Sequence, residues 1–224
     1  MKPRIKIDSA LVALTIIISG ILYIFRSLYG IGPFGDDVLD FIGFAILIKG
    51  ILLRMAARGH KKVHSQQGKG LVMTGLYAYM RNPMYLGSFM IGTGYAVMVW
   101  PWWSLPIFAF LFYLRFNRQM VKEEEYLGKH FGAAYKNYCQ KVPRMFPRLK
   151  SWITMNVKKT FPWNELWNTK EKGMLVGLPV LAVILETMQG NFVYGYTDIF
   201  KTAAIFFWTA VALAVVFWLR YKAS

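Results

Sequence analysis

The side chains best suited to chemistry in this chain form two polar clusters within an otherwise apolar sequence. The first combines aromatic and basic residues at the start of an apolar stretch: Tyr77, Tyr79, Arg81 and Tyr85. The second is the run Glu123-Glu124-Glu125, three of only eleven acidic residues. A carboxylate at the end of an apolar span is a functional candidate by default. The two clusters form one site only if the fold brings them together.

Each cluster also has a purely structural interpretation. Pro83 suits the first turn of a helix because its missing N–H would be unpaired there, and Asn82 then occupies the N-cap. Tyrosines are common at membrane interfaces, so the spacing alone favours anchoring and binding equally. Glu125 has a lysine four residues on with which it can pair. At least one of Glu123 and Glu124 should face the other helices.

The composition indicates a membrane protein. The chain has 224 residues, of which 56% are hydrophobic and 17% charged, and its mean hydropathy is +0.35. Residues 84–114 and 202–219 form uncharged runs of 31 and 18 residues, lengths typical of membrane spans rather than core helices. These figures exclude a disordered chain, collagen-like repeats and a disulfide-stapled scaffold. The single cysteine, Cys139, excludes an internal disulfide and a cysteine-based zinc site.

The elements that must position the two clusters are therefore helices. We predict an all-α fold, a polytopic membrane bundle of about six transmembrane helices with a helical cap on the cytoplasmic face. The predicted spans are Ser9–Phe25, Val38–Met55, Met84–Trp100, Trp102–Phe116, Gly173–Met188 and Thr202–Leu219. We divide the chain into N-terminal transmembrane helices (1–67), a core with the helical hairpin and cytoplasmic binding segments (68–150), and an interfacial segment with two C-terminal spans (151–224).

The distribution of basic residues predicts the orientation. The formal net charge is +16, and 24 of the 27 Lys and Arg residues lie in four segments that alternate with the spans: the N-terminus, 54–81, 115–172 and the C-terminus. Basic loops are retained on the cytoplasmic side. Both termini and both clusters should therefore be cytoplasmic, and the charge indicates topology rather than nucleic-acid binding.

Pro101 predicts how the two clusters meet. It lies among Trp100, Trp102 and Trp103, and proline ends a helix whereas tryptophan favours the headgroup boundary. We expect a tight helical hairpin with its tip here, so that its two ends, near Arg81 and Arg118, return to the same membrane face.

Taken in order, the motifs of residues 68–147 resemble the integral-membrane family of isoprenylcysteine carboxyl methyltransferases and phospholipid N-methyltransferases. The resemblance rests on Gly75 and Tyr77, the run Arg81-Asn82-Pro83-Met84-Tyr85-Leu86-Gly87, an uncharged hairpin, Glu123-Glu124 before Leu127, Phe131-Gly132, Tyr135, Tyr138, Val142-Pro143-Arg144 and Pro147. Each motif alone is weak, whereas the ordered series is specific.

The resemblance implies a methyltransferase that binds S-adenosylmethionine at the cytoplasmic membrane surface without a Rossmann domain. The cofactor-binding residues it implies are Lys69, Gly70, Leu71, Val72, Tyr77, Asn82, Pro83, Met84, Tyr85 and Glu123. Arg81, Arg118 and Glu124 are the implied catalytic residues, with the arginines orienting the acceptor or the cofactor carboxylate. Aromatic faces suit the sulfonium cation, and a carboxylate suits the ammonium group.

The implied reaction needs alignment of donor and acceptor and exclusion of water. It requires neither a metal nor a covalent nucleophile, and we expect no metal, because the three histidines suggest no ligand cluster. The expected partners are the bilayer and a lipophilic acceptor, methylated on a carboxylate, an amine or a thiol.

Two positions depart from the eukaryotic prenylcysteine enzymes of the family. Asn82 stands where those enzymes usually have histidine, and it resembles the prokaryotic branch, whose substrates vary. Gln119 stands where they place a substrate-side arginine, so Arg118 or Arg115 takes that role or the substrate differs. The expected location is the prokaryotic inner membrane. Two alternatives remain open: an NADPH-dependent membrane reductase of the sterol or steroid type, and a non-enzymatic membrane scaffold.

Overall fold

The computed structural model describes residues 2–30, 33–65, 70–148 and 160–195, with residues 203, 207, 210, 211 and 214 beyond them. This part of the chain consists of helices and turns and has no strand. Its long helices are α1 (Lys2–Ile24), α2 (Pro33–His64), α3 (Pro83–Val99), α4 (Ser104–Lys141) and α5 (Met174–Gln189). Short 3₁₀ turns occur at Arg26–Leu28 and Gly75–Ala78, and a π-helical turn at Gly190–Tyr194 follows α5. The all-α prediction is confirmed.

The predicted spans correspond to these helices as far as the structure describes them. The first five each overlap one helix, α1 to α5 in order, and Thr202–Leu219 lies outside the described residues apart from five isolated positions. Within the described residues, one helical segment, Met174–Tyr194, is long and apolar enough to cross a membrane, and Ala13–Ile24 is a shorter apolar helix. The number of six spans therefore stays a prediction.

The centre of the fold is the packing of α2 against α3 along a glycine seam, formed by Gly43 and Gly50 of α2 with Gly87 and Gly94 of α3. A Cβ atom added at Gly94 would lie 2.7 Å from the carbonyl oxygen of Gly43. One added at Gly50 would lie 2.8 Å from the amide nitrogen of Ile91. Small residues at such positions let two helix backbones approach closely. The antiparallel contact of α2 with α3 therefore leaves no room for larger side chains.

Helix α5 packs on this pair, and α1 packs against α5 and the π-helical turn that follows it. Leu47, Ile51 and Met55 of α2 are almost fully buried, and α5 contacts both α2 and α3. A buried hydrogen bond also joins two of the helices. The Tyr23 hydroxyl of α1 donates to the Leu185 carbonyl oxygen of α5 at 2.7 Å. Because a buried polar group without a partner is costly, such bonds help fix how the helices are arranged.

Helices α3 and α4 form a helical hairpin whose turn contains Pro101. Trp100 ends α3, and its indole N–H donates to the Ser19 hydroxyl of α1 at 2.9 Å. Phe89 of α3 packs against Phe108 and Phe112 of α4, with ring centroids 5.9 and 5.0 Å away. The hairpin returns the start of α3 and the middle of α4 to the same end of the molecule.

Helix α4 bends at Gly132, which redirects its last turns. Gly132 has φ 49° and ψ −121° inside the helical run, a backbone conformation that glycine adopts far more readily than other residues. After the bend, Tyr135 and Tyr138 are buried. The Tyr138 hydroxyl donates to the carbonyl oxygen of Tyr77 at 2.6 Å. The end of α4 thereby fixes the 3₁₀ turn that carries Tyr77.

The described part of the predicted interfacial segment, residues 160–173, forms turns that pack on α2. Leu166 is buried there. The Glu171 carboxylate lies 3.0 Å from the Arg54 guanidinium and 2.5 Å from that of Arg58. Residues 151–159 of that segment lie outside the described residues.

Candidate functional site

A cavity of about 240 Å³ lies where the ends of several elements meet. Its walls are the last turns of α2, the loop over residues 70–82, the first turn of α3, and α4 on both sides of the Gly132 bend. This volume is somewhat below the roughly 300–1,000 Å³ typical of pockets that hold small molecules. Both polar clusters of the sequence contribute side chains to this cavity.

Tyr85 and Glu123 connect the two clusters directly. The Tyr85 hydroxyl donates to Glu123 Oε1 at 2.9 Å, and the Gln119 side-chain amide donates to the same oxygen at 3.3 Å. The Tyr85 ring rests edge-on against Phe116, with centroids 5.5 Å apart. Glu123 is therefore held in one orientation at the cavity wall. Gln119 thus helps to position this carboxylate.

Glu124 has a different role, because two arginines occupy its carboxylate. Arg81 Nη1 lies 3.0 Å from Glu124 Oε1, and Arg144 Nη2 lies 3.0 Å from Glu124 Oε2. Arg144 also donates to the Asn117 side-chain oxygen at 2.6 Å. Its carbonyl oxygen accepts from the Asn82 side chain at 3.1 Å. Glu124 thus fastens the start of α3 and the chain after α4 to the middle of α4.

Arg81 sits at the junction of these contacts. Besides Glu124, its guanidinium donates to Cys139 Sγ at 2.9 Å, while its Nε has no hydrogen-bond partner among the described residues. Burial alone lowers the pKa of Arg81. The Glu124 carboxylate and the other neighbours raise this pKa by more than burial lowers it, so the net pKa is above its usual value. The residue is therefore a permanent cation at the cavity wall.

Tyr77 contributes a buried aromatic wall. Its hydroxyl donates to the Ala57 carbonyl oxygen of α2 at 3.3 Å. Burial raises the pKa of Tyr77 well above its usual value, so the hydroxyl stays protonated and keeps donating. The ring is thereby fixed between the cavity and the side chain of His60, whose ring centroid is 6.3 Å away.

Most of the predicted site residues line this cavity: Gly70, Leu71, Val72, Tyr77, Arg81, Asn82, Pro83, Met84, Tyr85, Glu123 and Glu124. Lys69 lies outside the described residues. Asn82 is at the N-cap of α3, as predicted, but its side chain makes no capping bond. It binds the Arg144 carbonyl oxygen instead, so the first turn of α3 faces the cavity without a side-chain cap.

Arg118 does not line the cavity. It is exposed in a shallow groove on the outer side of α4, formed by Leu111, Leu114, Arg115, Arg118, Gln119 and Lys122. The groove and the cavity meet at Gln119, which lines the first and bonds to Glu123 in the second. The rotation of α4 about its axis separates Arg118 from Glu123, and sequence spacing does not reveal that rotation.

The cavity also contains residues that sequence reasoning did not select. Arg58, Lys61 and Lys62 of α2 line it opposite α4, and Tyr135 and Tyr138 line it beyond the bend. The sequence marks the basic residues only as a topology signal, and it assigns no role to the two tyrosines. Burial raises the pKa of Tyr135 to about 12, so this residue is also a hydrogen-bond donor.

A second cluster of polar residues lies behind Tyr77 and was missed. His60 and His64 of α2 lie against Glu165, with an oxygen of the carboxylate 2.5 Å from His60 Nδ1 and the other 2.7 Å from His64 Nε2. The available signal was the spacing of the two histidines, since residues four apart share one helix face. Glu165 could not be paired with them from sequence alone.

Comparison with known proteins shows which group of proteins this chain resembles. The family model for phospholipid methyltransferase matches residues 9–134. A protein-S-isoprenylcysteine O-methyltransferase of Schizosaccharomyces pombe is 35% identical over 77 residues, 34% of this chain and 33% of the relative. Protein-S-isoprenylcysteine O-methyltransferase B of Arabidopsis thaliana is 30% identical over 143 residues, 60% of this chain and 73% of the relative.

One further relative is named for a different chemistry. Delta(14)-sterol reductase LBR of Gallus gallus is 31% identical over 85 residues, 37% of this chain but only 13% of the relative. The chain thus spans a minor part of two of these three relatives and nearly three quarters of the Arabidopsis protein. No solved structure matches the chain significantly. Because the family model covers more than half of the chain, the protein belongs to the phospholipid methyltransferase family of methyltransferases.

Proposed function

We propose that the protein transfers a methyl group from S-adenosylmethionine to a lipophilic acceptor at the cytoplasmic face of a membrane. The observation that carries this proposal is the contact between Tyr85 and Glu123, 2.9 Å from oxygen to oxygen. It closes a cavity in which a fixed carboxylate, aromatic rings and an arginine surround one space. That combination suits a ligand that is cationic at its sulfonium and ammonium groups and anionic at its carboxylate.

The fit of the cofactor rests on the donors and acceptors of the cavity. Glu123 would hold the ammonium group, with Tyr85 and Gln119 keeping the carboxylate in place. Arg81 lines the cavity, and its guanidinium would receive the cofactor carboxylate together with the first turn of α3, whose N–H groups favour anions. Tyr77 and Tyr135 would offer aromatic faces. Bound there, the cofactor supplies an electrophilic methyl group.

The chain's own contribution to the reaction is alignment and exclusion of water. Methyl transfer is an in-line displacement, so its rate depends on how donor and acceptor are held. The groove on α4 adjoins the cavity at Gln119 and combines Leu111 and Leu114 with Arg115, Arg118 and Lys122. We assign to it the acceptor's apolar part and any anionic group it carries. Both oxygens of the Glu124 carboxylate are paired with arginines. Glu124 would therefore position the cavity walls and transfer no proton.

The assignment is tested by binding and transfer with the full chain in detergent or nanodiscs. We expect micromolar binding of S-adenosylmethionine by calorimetry and transfer of a labelled methyl group into the lipid fraction of a host membrane extract. Mass spectrometry of membrane lipids and small thiols, with and without the gene, then identifies the acceptor. Absence of cofactor binding by correctly folded protein would exclude the proposed activity.

A second candidate is an NADPH-dependent reductase. Arg58, Lys61 and Lys62 all line the cavity, and basic side chains suit the phosphates of a nicotinamide cofactor. The local similarity to a sterol reductase points the same way. Against it, Glu123 would face those phosphates, and Arg58 is already paired with Glu171 at 2.5 Å. Tight NADPH binding without binding of S-adenosylmethionine would establish this alternative.

We further propose that the chain is a multi-pass protein of a prokaryotic inner membrane, with the cavity and both termini in the cytoplasm. Cysteine labelling tests this orientation in a Cys139→Ser background. Lys136, in the last turns of α4, and Trp102, in the turn before α4 begins, are both exposed. An impermeant thiol reagent added to intact cells should label Trp102→Cys and leave Lys136→Cys unlabelled. The reverse pattern would invert the topology.

A further inference from the structure

The cluster of His60, His64 and Glu165 lies outside the proposed methyltransferase cavity. His60 and His64 are on the same face of α2, with ring centroids 4.2 Å apart. Glu165 approaches from the turns that follow residue 160, and one ligand atom from each residue lies within 4.8 Å of the other two. These atoms come from parts of the chain about a hundred residues apart, so the fold gathers them.

The donor set is one that binds divalent transition metals. Two imidazole nitrogens and one carboxylate oxygen match the ligands of Zn²⁺ sites that keep a fourth position for water. Hard cations such as Mg²⁺ and Ca²⁺ prefer oxygen ligands throughout. In a tetrahedral Zn²⁺ site the ligand atoms lie about 3.3 Å apart. The present contacts of 2.5 and 2.7 Å need to open by only about 0.7 Å to admit the ion.

The surroundings orient the cluster as a metal site requires. His60 is 6% exposed, and its second nitrogen, Nε2, lies 3.0 Å from the Thr74 hydroxyl oxygen. A ligand histidine usually has such a partner on its other nitrogen, which fixes the ring. The His64 side chain is 45% exposed and that of Glu165 is 22% exposed, so an ion can reach the cluster from solvent.

Close packing holds Glu165 over α2 at this point. A side chain at Gly59 would overlap the Glu165 carbonyl oxygen, so the chain crosses directly above the helix. A shared metal would fasten residues 160–173 to α2. Through Thr74, the neighbour of the 3₁₀ turn Gly75–Ala78, it would also steady the loop that carries Tyr77.

We propose that His60, His64 and Glu165 form a site for a divalent transition metal of the Zn²⁺ class, with the fourth position open to water, and that the metal fixes residues 160–173 and the Tyr77 loop to the end of α2. The metal site is separate from the cavity proposed for methyl transfer, and its test does not require a measurement of methyl transfer.

The experiment uses the full chain, purified with a tag that contains no histidine, stripped with a chelator and titrated with Co²⁺. Co²⁺ bound to nitrogen and oxygen ligands gives visible absorption, and Zn²⁺ should displace it. The variants are His64→Ala and Glu165→Gln, both at partly exposed side chains. The matched control is His130→Ala, an exposed histidine on α4 that contacts Tyr126 and lies outside the cluster.

We expect one Co²⁺ per chain in the wild type and in His130→Ala, with at least tenfold weaker binding in His64→Ala and Glu165→Gln. Zn²⁺ should raise the Tm of the wild type and of His130→Ala but leave the Tm of the two cluster variants unchanged. A cluster that is only hydrogen-bonded gives no Co²⁺ absorption in the wild type, and this outcome overturns the proposal. Equal binding by the wild type and both cluster variants overturns it as well.

Discussion

Replacing Glu123 with glutamine removes the charge proposed to bind the cofactor's ammonium group and leaves the local geometry intact. The Tyr85 hydroxyl and the Gln119 amide both donate to Glu123 Oε1, at 2.9 and 3.3 Å. A glutamine carbonyl oxygen at the same place accepts both bonds. The variant should therefore fold normally and lose only the charge-assisted part of its interaction with the ligand.

The expected effect follows from that loss. A hydrogen bond between charged groups contributes about 1.5–3 kcal/mol, and 1.4 kcal/mol corresponds to a factor of ten in Kd. Glu123→Gln should therefore raise the Kd for S-adenosylmethionine about 10- to 100-fold. Because the carboxylate is already held in place, no ordering cost in the free protein reduces this figure.

Glu125→Gln is the matched control, since it makes the same charge change two residues further along α4. Glu125 is exposed and does not line the cavity. Calorimetric titration of both variants in the same detergent separates a local contact from a general charge effect. Equal Kd values for the wild type and Glu123→Gln, or equal weakening by Glu123→Gln and Glu125→Gln, would refute the assignment of Glu123 to the ammonium group.

Two further predictions concern stability. Glu124→Gln breaks the ion pairs with Arg81 and Arg144, at a cost of about 1.5–3 kcal/mol, and should lower the Tm by about 3–12 °C in differential scanning fluorimetry; an unchanged Tm would contradict its structural role. Gly94→Ala should lower the Tm by about 2–12 °C because overpacking costs about 1–3 kcal/mol. Gly177→Ala, whose added Cβ meets nothing within 4 Å, should leave it unchanged or raise it slightly. Equal shifts for these two glycine variants would show that the seam tolerates a methyl group.

The sequence predicted the features that depend on local chemistry and on strict order along the chain. Pro101 between two apolar segments predicts the hairpin, and the hairpin predicts that Tyr85 approaches Glu123. The glycine-rich and aromatic motifs carry the family resemblance, and the match of the family model to residues 9–134 confirms it. Each of these signals either lies within a few consecutive residues or requires only knowing at which end of a helix a residue lies.

Contacts that depend on helix rotation or on distant segments could not be predicted. Glu123 and Glu124 are adjacent, yet one faces a tyrosine and the other two arginines. Arg118 is directed away from both into the outer groove. The partner of His60 lies 105 residues away, so no spacing rule connects them. A single rotation of α4 decides which of its polar side chains reach the cavity, and amino-acid types on that helix do not determine it.

The glycine seam between α2 and α3 limits the ways in which a ligand can enter and leave the cavity. The two backbones are in direct contact along the seam. We therefore expect α2 and α3 to move as one rigid unit, which forms one wall of the cavity. If the cavity binds its ligands as proposed, we expect them to enter and leave by displacement of the opposite wall. We expect the bend at Gly132 to be the pivot of that displacement, because the backbone leaves the helical conformation there.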